Sequence, residues 1–282
     1  MPERRPRISQ LQTEERMLAA AVWQVNAAGL TVSLDHLSFE AVISDADVSR
    51  TAAYRKWPSK ELFLNDLVRE LARAATPRAV VENASWGLIS GLVLADAERL
   101  ADPAERWALG VELMRQAADG DFAVMHASAE WRTYLALTAT FLSITDAGLR
   151  EEVQAALAAA QQRFVDGIAS GWRLLAGLLG FRLRAGVTSF DTLAAMISAS
   201  VRGLVLMALA DPAIASDRLE TDPFGAGEAS WSLAALGCAS IAAGFLELDP
   251  GVVWDETRAA ALRSVMAAES LPVAGSPALV VG

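Results

Sequence analysis

The chain has 282 residues, 53% of them hydrophobic and 21% charged, with a net charge of −10. That balance excludes a disordered chain. A single cysteine, Cys238, excludes an internal disulfide, and the two histidines, His36 and His126, stand too far apart for a zinc site.

The charge is unevenly spread. Residues 1–75 hold ten Lys+Arg and ten Asp+Glu, whereas residues 76–282 hold 14 Lys+Arg against 24 Asp+Glu. The acidity therefore argues against nucleic acid for the later part only. Arg4, Arg5 and Arg7 lead into polar residues without an apolar run, so no signal peptide is expected and the chain reads as cytoplasmic. These arginines read either as a solvated tail or as an arm on DNA.

Ala, Leu, Arg and Glu dominate, and apolar residues recur at three and four, which predicts an all-α fold. A first helix spans Glu14–Asn26 and ends near Gly29. Two short helices follow at Ser38–Ala46 and Ser49–Lys56, and a longer one runs from Pro58-Ser59 to about Ala75. Further helices are expected near 83–100, 103–118, 122–144, 148–180, 190–210, 229–246 and 254–268. Residues 211–227 read as the longest loop. A boundary near Thr76-Pro77 separates a head, 1–76, from a body, 77–270, with 271–282 as a flexible tail.

The informative segment is Ser38 to Phe63, SFEAVISDADVSRTAAYRKWPSKELF. Phe39, Val42, Ile43 and Ala46 form one apolar helical face, and Asp47 sits in a tight turn. Ser49 can cap the next helix through its hydroxyl. Two short helices joined this way make a helix-turn-helix, whose second member places its first residues at base edges. Those residues are Arg50, Thr51 and Ala52. Arg50 can pair bidentately with guanine, while Thr51 and Ala52 offer methyl contacts to thymine. Tyr54, Arg55, Lys56 and Lys60 suit phosphate oxygens, and Ser38 and Ser49 complete the candidate DNA contacts. Lys56 and Lys60 are the only lysines in the chain.

This stretch resembles the DNA-binding domain of the TetR family of bacterial transcriptional regulators. Ala46-Asp47-Val48-Ser49 is similar to that family's AGVS-like turn, and Tyr54 through Leu62 to its tyrosine–aromatic–Pro/x–Ser–Lys–Glu–Leu signature. The resemblance covers roughly residues 12–75. Four positions depart from it: Asp47 stands for the turn glycine, Ile43 for a small alanine, Ala53 for a larger apolar residue and Trp57 for phenylalanine. The Leu30–Leu37 stretch is also longer than the family's.

The resemblance implies a homodimer that reads an inverted repeat and takes a small-molecule effector in its body. It implies no enzyme activity and no cofactor. The residues agree: no nucleophile–base pair, phosphate-cradling loop or metal set is found. Aromatic stripes in the body read either as core or as effector contacts. They are Trp131, Tyr134, Thr138 and Phe141; Phe164 and Trp172; and Trp107 with Met114. His126 joins them, and their composition favours a mainly apolar or aromatic effector.

The 18-residue uncharged run Ala229–Leu246 reads as a buried helix rather than a membrane span. It serves either a dimer face carrying Trp231, Leu236, Ser240 and Gly244 or the centre of one subunit. The leading expectation is an effector-responsive DNA-binding repressor. The alternative is an all-helical small-molecule-binding protein or enzyme with a vestigial head.

Overall fold

The computed structural model describes residues 9–28, 34, 37–74, 84–95, 99–187 and 189–267. The Arg4, Arg5 and Arg7 arm, most of Leu30–Leu37, the boundary at Thr76-Pro77 and the tail at 271–282 lie outside these residues. The fold is all-α, as the residue pattern predicts. Two compact units form, one from Met1–Pro77 with Ser128–Gln161 and the other from Arg78–Ala127 with Gln162–Gly282.

In the first unit, α1 (Gln10–Ala28) packs against α2 (Phe39–Asp45), α3 (Arg50–Lys56) and α4 (Lys60–Ala74). Met17, Ala21 and Val25 of α1 recur every four residues and are fully buried. They meet a core that includes Val42, Ala53, Trp57, Phe63 and Leu67. Each short helix is opened by a serine: Ser38 Oγ accepts from the Ala41 N–H at 3.3 Å, and Ser49 Oγ from the Ala52 N–H at 3.2 Å.

The turn between α2 and α3 follows from backbone geometry. The Val48 N–H donates to the Ile43 carbonyl and the Asp47 N–H to that of Ser44, a Schellman pattern. That pattern needs a left-handed residue, and Asp47 supplies it with φ of +50°. Aspartate tolerates this region better than most side chains, which is why the turn survives without glycine. Ile43 and Ala53, which depart from the family in opposite directions of size, are both buried. α3 ends where Pro58 forces Trp57 into extended backbone, with φ of −125°.

Ser49→Ala should lower stability by about 1 kcal/mol, because the Ala52 N–H loses its acceptor. Urea unfolding would register this as a lower midpoint at unchanged slope. An unchanged midpoint would mean that water replaces the cap.

The same unit contains α7 (Ala129–Thr140), which packs on α1 and α4, and the first half of α8 (Ala147–Leu179). Ser128 caps α7 by accepting from the Trp131 N–H at 3.1 Å. This moves the helix break from the expected position near residue 120 to Ser128, and α6 (Pro103–Ala127) runs straight through Gly120.

The second unit also contains α5 (Ala84–Ala95), α9 (Phe190–Ala210), α10 (Ala213–Ser216), α11 (Leu233–Phe245) and α12 (Glu256–Met266). α6, α9 and α11 pack on one another. Small residues allow the close approach: a Cβ on Gly237 of α11 would lie 3.1 Å from the Ser200 hydroxyl of α9. Two antiparallel ribbons correct the expectation of helix and loop alone. β1 (Phe181–Leu183) pairs with β4 (Leu246–Leu248), and β2 (Leu219–Thr221) with β3 (Ala229–Trp231). Residues 211–227 therefore hold α10 and β2 and are not one loop. Gly180 ends α8 at φ of +74°, with Val252 only 3.0 Å from where a Cβ would stand.

The uncharged run at 229–246 is likewise divided. Its first residues are β3, so Trp231 does not share a helical face with Leu236, Ser240 and Gly244. Ala234, Ala235, Cys238, Ala239 and Ala242 are buried, whereas Ser240 and Gly244 are exposed. Among the described residues the helix long and apolar enough to cross a membrane is α9, with 39% of its most apolar window buried inside the chain.

Candidate nucleic-acid interface

α3 carries the candidate contacts, and its sequence decides which of them face outward. Ala53, four residues from the C-cap Trp57, turns inward with it. Arg50, Thr51, Tyr54 and Arg55 are exposed, and Ala52 is half-buried. Arg50 and Tyr54 stand four apart, on one face of the helix. The Tyr54 ring rests edge-on against Phe39, with centroids 5.3 Å apart.

A residue that the sequence reading did not single out ties these two together. Glu40, in the first turn of α2, accepts from Arg50 Nε at 2.8 Å through one carboxylate oxygen. Through its other oxygen it accepts from the Tyr54 hydroxyl at 2.9 Å. The Arg50 bond, then the Tyr54 bond, holds the Glu40 carboxyl below its usual range. The same bonds to Glu40 raise the Arg50 guanidinium and the Tyr54 phenol. The only local signal was an acidic residue near a helix N-terminus, where such residues are commonplace.

Lys56 is also engaged. Its ammonium pairs with Glu14 of α1 at 2.7 Å and lies over the Trp57 ring. Lys60 opens α4, after Ser59 Oγ accepts from the Leu62 N–H at 3.4 Å. Ser38 and Ser49 are exposed but spend their hydroxyls on helix caps. The outward basic residues of α3 are therefore Arg50, held by Glu40, and Arg55 at its last turn.

The effector candidates divide between the units. Trp131, Tyr134, Thr138 and Phe141 belong to the first. Trp131 and Tyr134 are buried, the Tyr134 hydroxyl lies 3.4 Å from Gln161 Oε1, and Phe141 is half-buried. Thr138 is exposed and donates to the Tyr134 carbonyl.

Trp107, Met114, His126, Phe164 and Trp172 belong to the second unit. Trp107 Nε1 donates to the Phe224 carbonyl at 2.8 Å, Met114 is buried, and Trp172 is half-buried. His126 stacks on Phe122 with ring centroids 5.7 Å apart. The Arg202 guanidinium lies 4.6 Å above the Phe164 ring. A groove of about 340 Å³ in this unit is lined by Arg99, Glu105, Glu112, Leu92 and Trp231, and by none of the nine candidates.

Asp121 of α6 was also missed. Its Oδ1 is buried without a hydrogen-bond partner among the described residues, and burial pushes the carboxyl up to about 7. Cys238 of α11 is pushed up to about 12, chiefly by burial and then by the charges of Asp121 and Asp119. Such a thiol stays protonated and unreactive. Among the described residues no cluster of His, Cys, Asp and Glu is suited to a metal ion.

No protein-family profile matches the chain. No curated protein matches it. Among solved structures it is similar to SmeT, described as the repressor of the Stenotrophomonas maltophilia multidrug efflux pump SmeDEF. The identity is 18% and the TM-score 0.40, over 86% of this chain and 98% of that one.

Proposed function

We propose that the chain is a DNA-binding transcriptional regulator of the TetR type, acting as a repressor. The observation that supports this most is α3 itself, capped by Ser49 and carried on the buried Ala53–Trp57 face, with Arg50, Thr51, Tyr54 and Arg55 outward. A homodimer would set two such helices in successive major grooves of an inverted repeat, ~34–36 Å apart. A small, mainly apolar or aromatic effector in the body would favour a state of lower DNA affinity, with a coupling of ~1–3 kcal/mol. The site of action is the bacterial cytoplasm, with no membrane, cofactor or catalytic role.

The test is titration of DNA from immediately upstream of the chain's own gene, by fluorescence anisotropy at two salt concentrations. A scrambled duplex and Arg50→Ala serve as comparators. The expected dissociation constant is roughly 10⁻⁸–10⁻¹¹ M, weakened by salt and by the substitution. Equal binding to the scrambled duplex would favour a second reading, a helical small-molecule-binding protein or enzyme with a vestigial head. The Glu14 carboxylate already engaged with Lys56 favours that reading.

A further inference from the structure

A guanidinium that reads guanine must offer two parallel N–H groups in a fixed direction. An arginine at a helix start has several rotatable bonds, so on its own it samples many directions. Fixing it beforehand lowers the ordering cost of binding and sharpens discrimination. Arg50 is fixed by Glu40. The Glu40 Oε2 atom accepts from Nε at 2.8 Å and stands 2.7 Å from Nη2, so the carboxylate covers the side edge of the guanidinium. These two contacts use Nε and Nη2 on the side edge and do not involve Nη1 of the end edge. Seventy-one per cent of the Arg50 side chain remains exposed.

The second Glu40 oxygen holds the Tyr54 hydroxyl, and Tyr54 is braced on Phe39, the residue before Glu40. One acidic residue of α2 thus sets two outward groups of α3. Its charge also offsets that of Arg50, which weakens the pull of Arg50 on any phosphate without altering its geometry towards a base.

We propose that Glu40 is a specificity-determining residue of the DNA interface: it presents the end edge of Arg50 and the hydroxyl of Tyr54 in one arrangement and suppresses sequence-independent binding. This rests on the DNA-binding reading above.

The experiment uses the full chain and a randomised duplex library, comparing the base preferences enriched by the wild type, Glu40→Gln, Arg50→Ala and the double variant. Each is also titrated against one scrambled duplex over a range of salt, and melting curves confirm folding. Glu40→Gln should reduce preference about ten-fold at the base pairs that Arg50→Ala also affects, and leave the other positions unchanged. It should bind the scrambled duplex more tightly, with a salt slope steeper by up to about 0.9. The double variant should show the base preferences of Arg50→Ala, because Glu40 acts on the bases through Arg50, whereas Tyr54 suits a phosphate, which carries no sequence information.

A Glu40→Gln variant that keeps the wild-type preferences overturns this proposal alone. So does one that loses preference evenly at all positions, or whose effect persists undiminished in the Arg50→Ala background. A folded wild type that enriches no sequence overturns the DNA-binding reading and this proposal with it.

Discussion

Trp57→Ala should destabilise the head-containing unit by about 3–5 kcal/mol, the range for emptying a large aromatic from a core. Trp57 is 1% exposed and meets Phe63 edge-on at 5.1 Å. Its indole Nε1 also donates to Asp66 Oδ2 at 2.9 Å, while Arg69 holds Oδ1 of the same carboxylate at 2.9 Å. Removing the ring therefore opens a void and leaves Asp66 short of a donor. Trp57→Phe restores the residue that the family resemblance implies but not the indole N–H, and should cost about 1–2 kcal/mol. Calorimetry checks both. Equal losses in the two variants would mean that the hydrogen bond, not the packing, carries the effect.

The second large effect depends on pH. A carboxyl near 7 in the folded chain and near 3.8 when unfolded keeps its proton in the folded state over the interval between. The folded state then binds more protons than the unfolded one, so stability falls as pH rises through that interval. The loss attributable to Asp121 is as much as ~4 kcal/mol. Asp121→Asn removes it. The variant should match the wild type near pH 4 and exceed it in stability near pH 8. Glu40, Glu112 and Glu130, whose pKa values are lowered, act in the opposite sense, but they are common to both proteins and cancel in the difference. Parallel stability curves across this range would refute the assignment.

What could be read from the residues was local. The α2–turn–α3 unit is encoded within the 21 consecutive positions from Ser38 to Pro58: a serine cap, an apolar face at three and four, a second serine cap, and a proline that ends it. Asp47 was legible as the turn residue for the same reason. The strands were not legible, because three residues are too few to display alternation and their partners lie elsewhere in the chain. Phe181 pairs with Leu248 and Leu219 with Trp231. The break at Ser128 was missed because Gly120 is the more obvious helix breaker, yet α6 runs through it, with open space where a Cβ would stand. Glu40 was missed because its meaning comes from residues ten and fourteen positions later. Trp131, Tyr134 and Thr138 lie on α7 but Phe141 falls in the 3₁₀ turn after it, and spacing on one helix carries no information about which unit that helix joins. Trp131 and Tyr134 lie in the unit of α1 and α4, which share it with residues 128–161.

The placement of the two lysines at the junction of α3 and α4 has a practical consequence for chemistry at amines. Lys56 and Lys60 are the only lysines in the chain, and both border the α3–α4 junction. Reagents that couple through lysine, whether a surface, a biotin or a dye, therefore attach beside the face proposed to meet DNA. A lysine-specific protease has two bonds to cut, after Lys56 and after Lys60. The first closes α3 and is followed at once by the buried Trp57. Cleavage there requires the helix end to open, so its rate is a clock for local unfolding of the head.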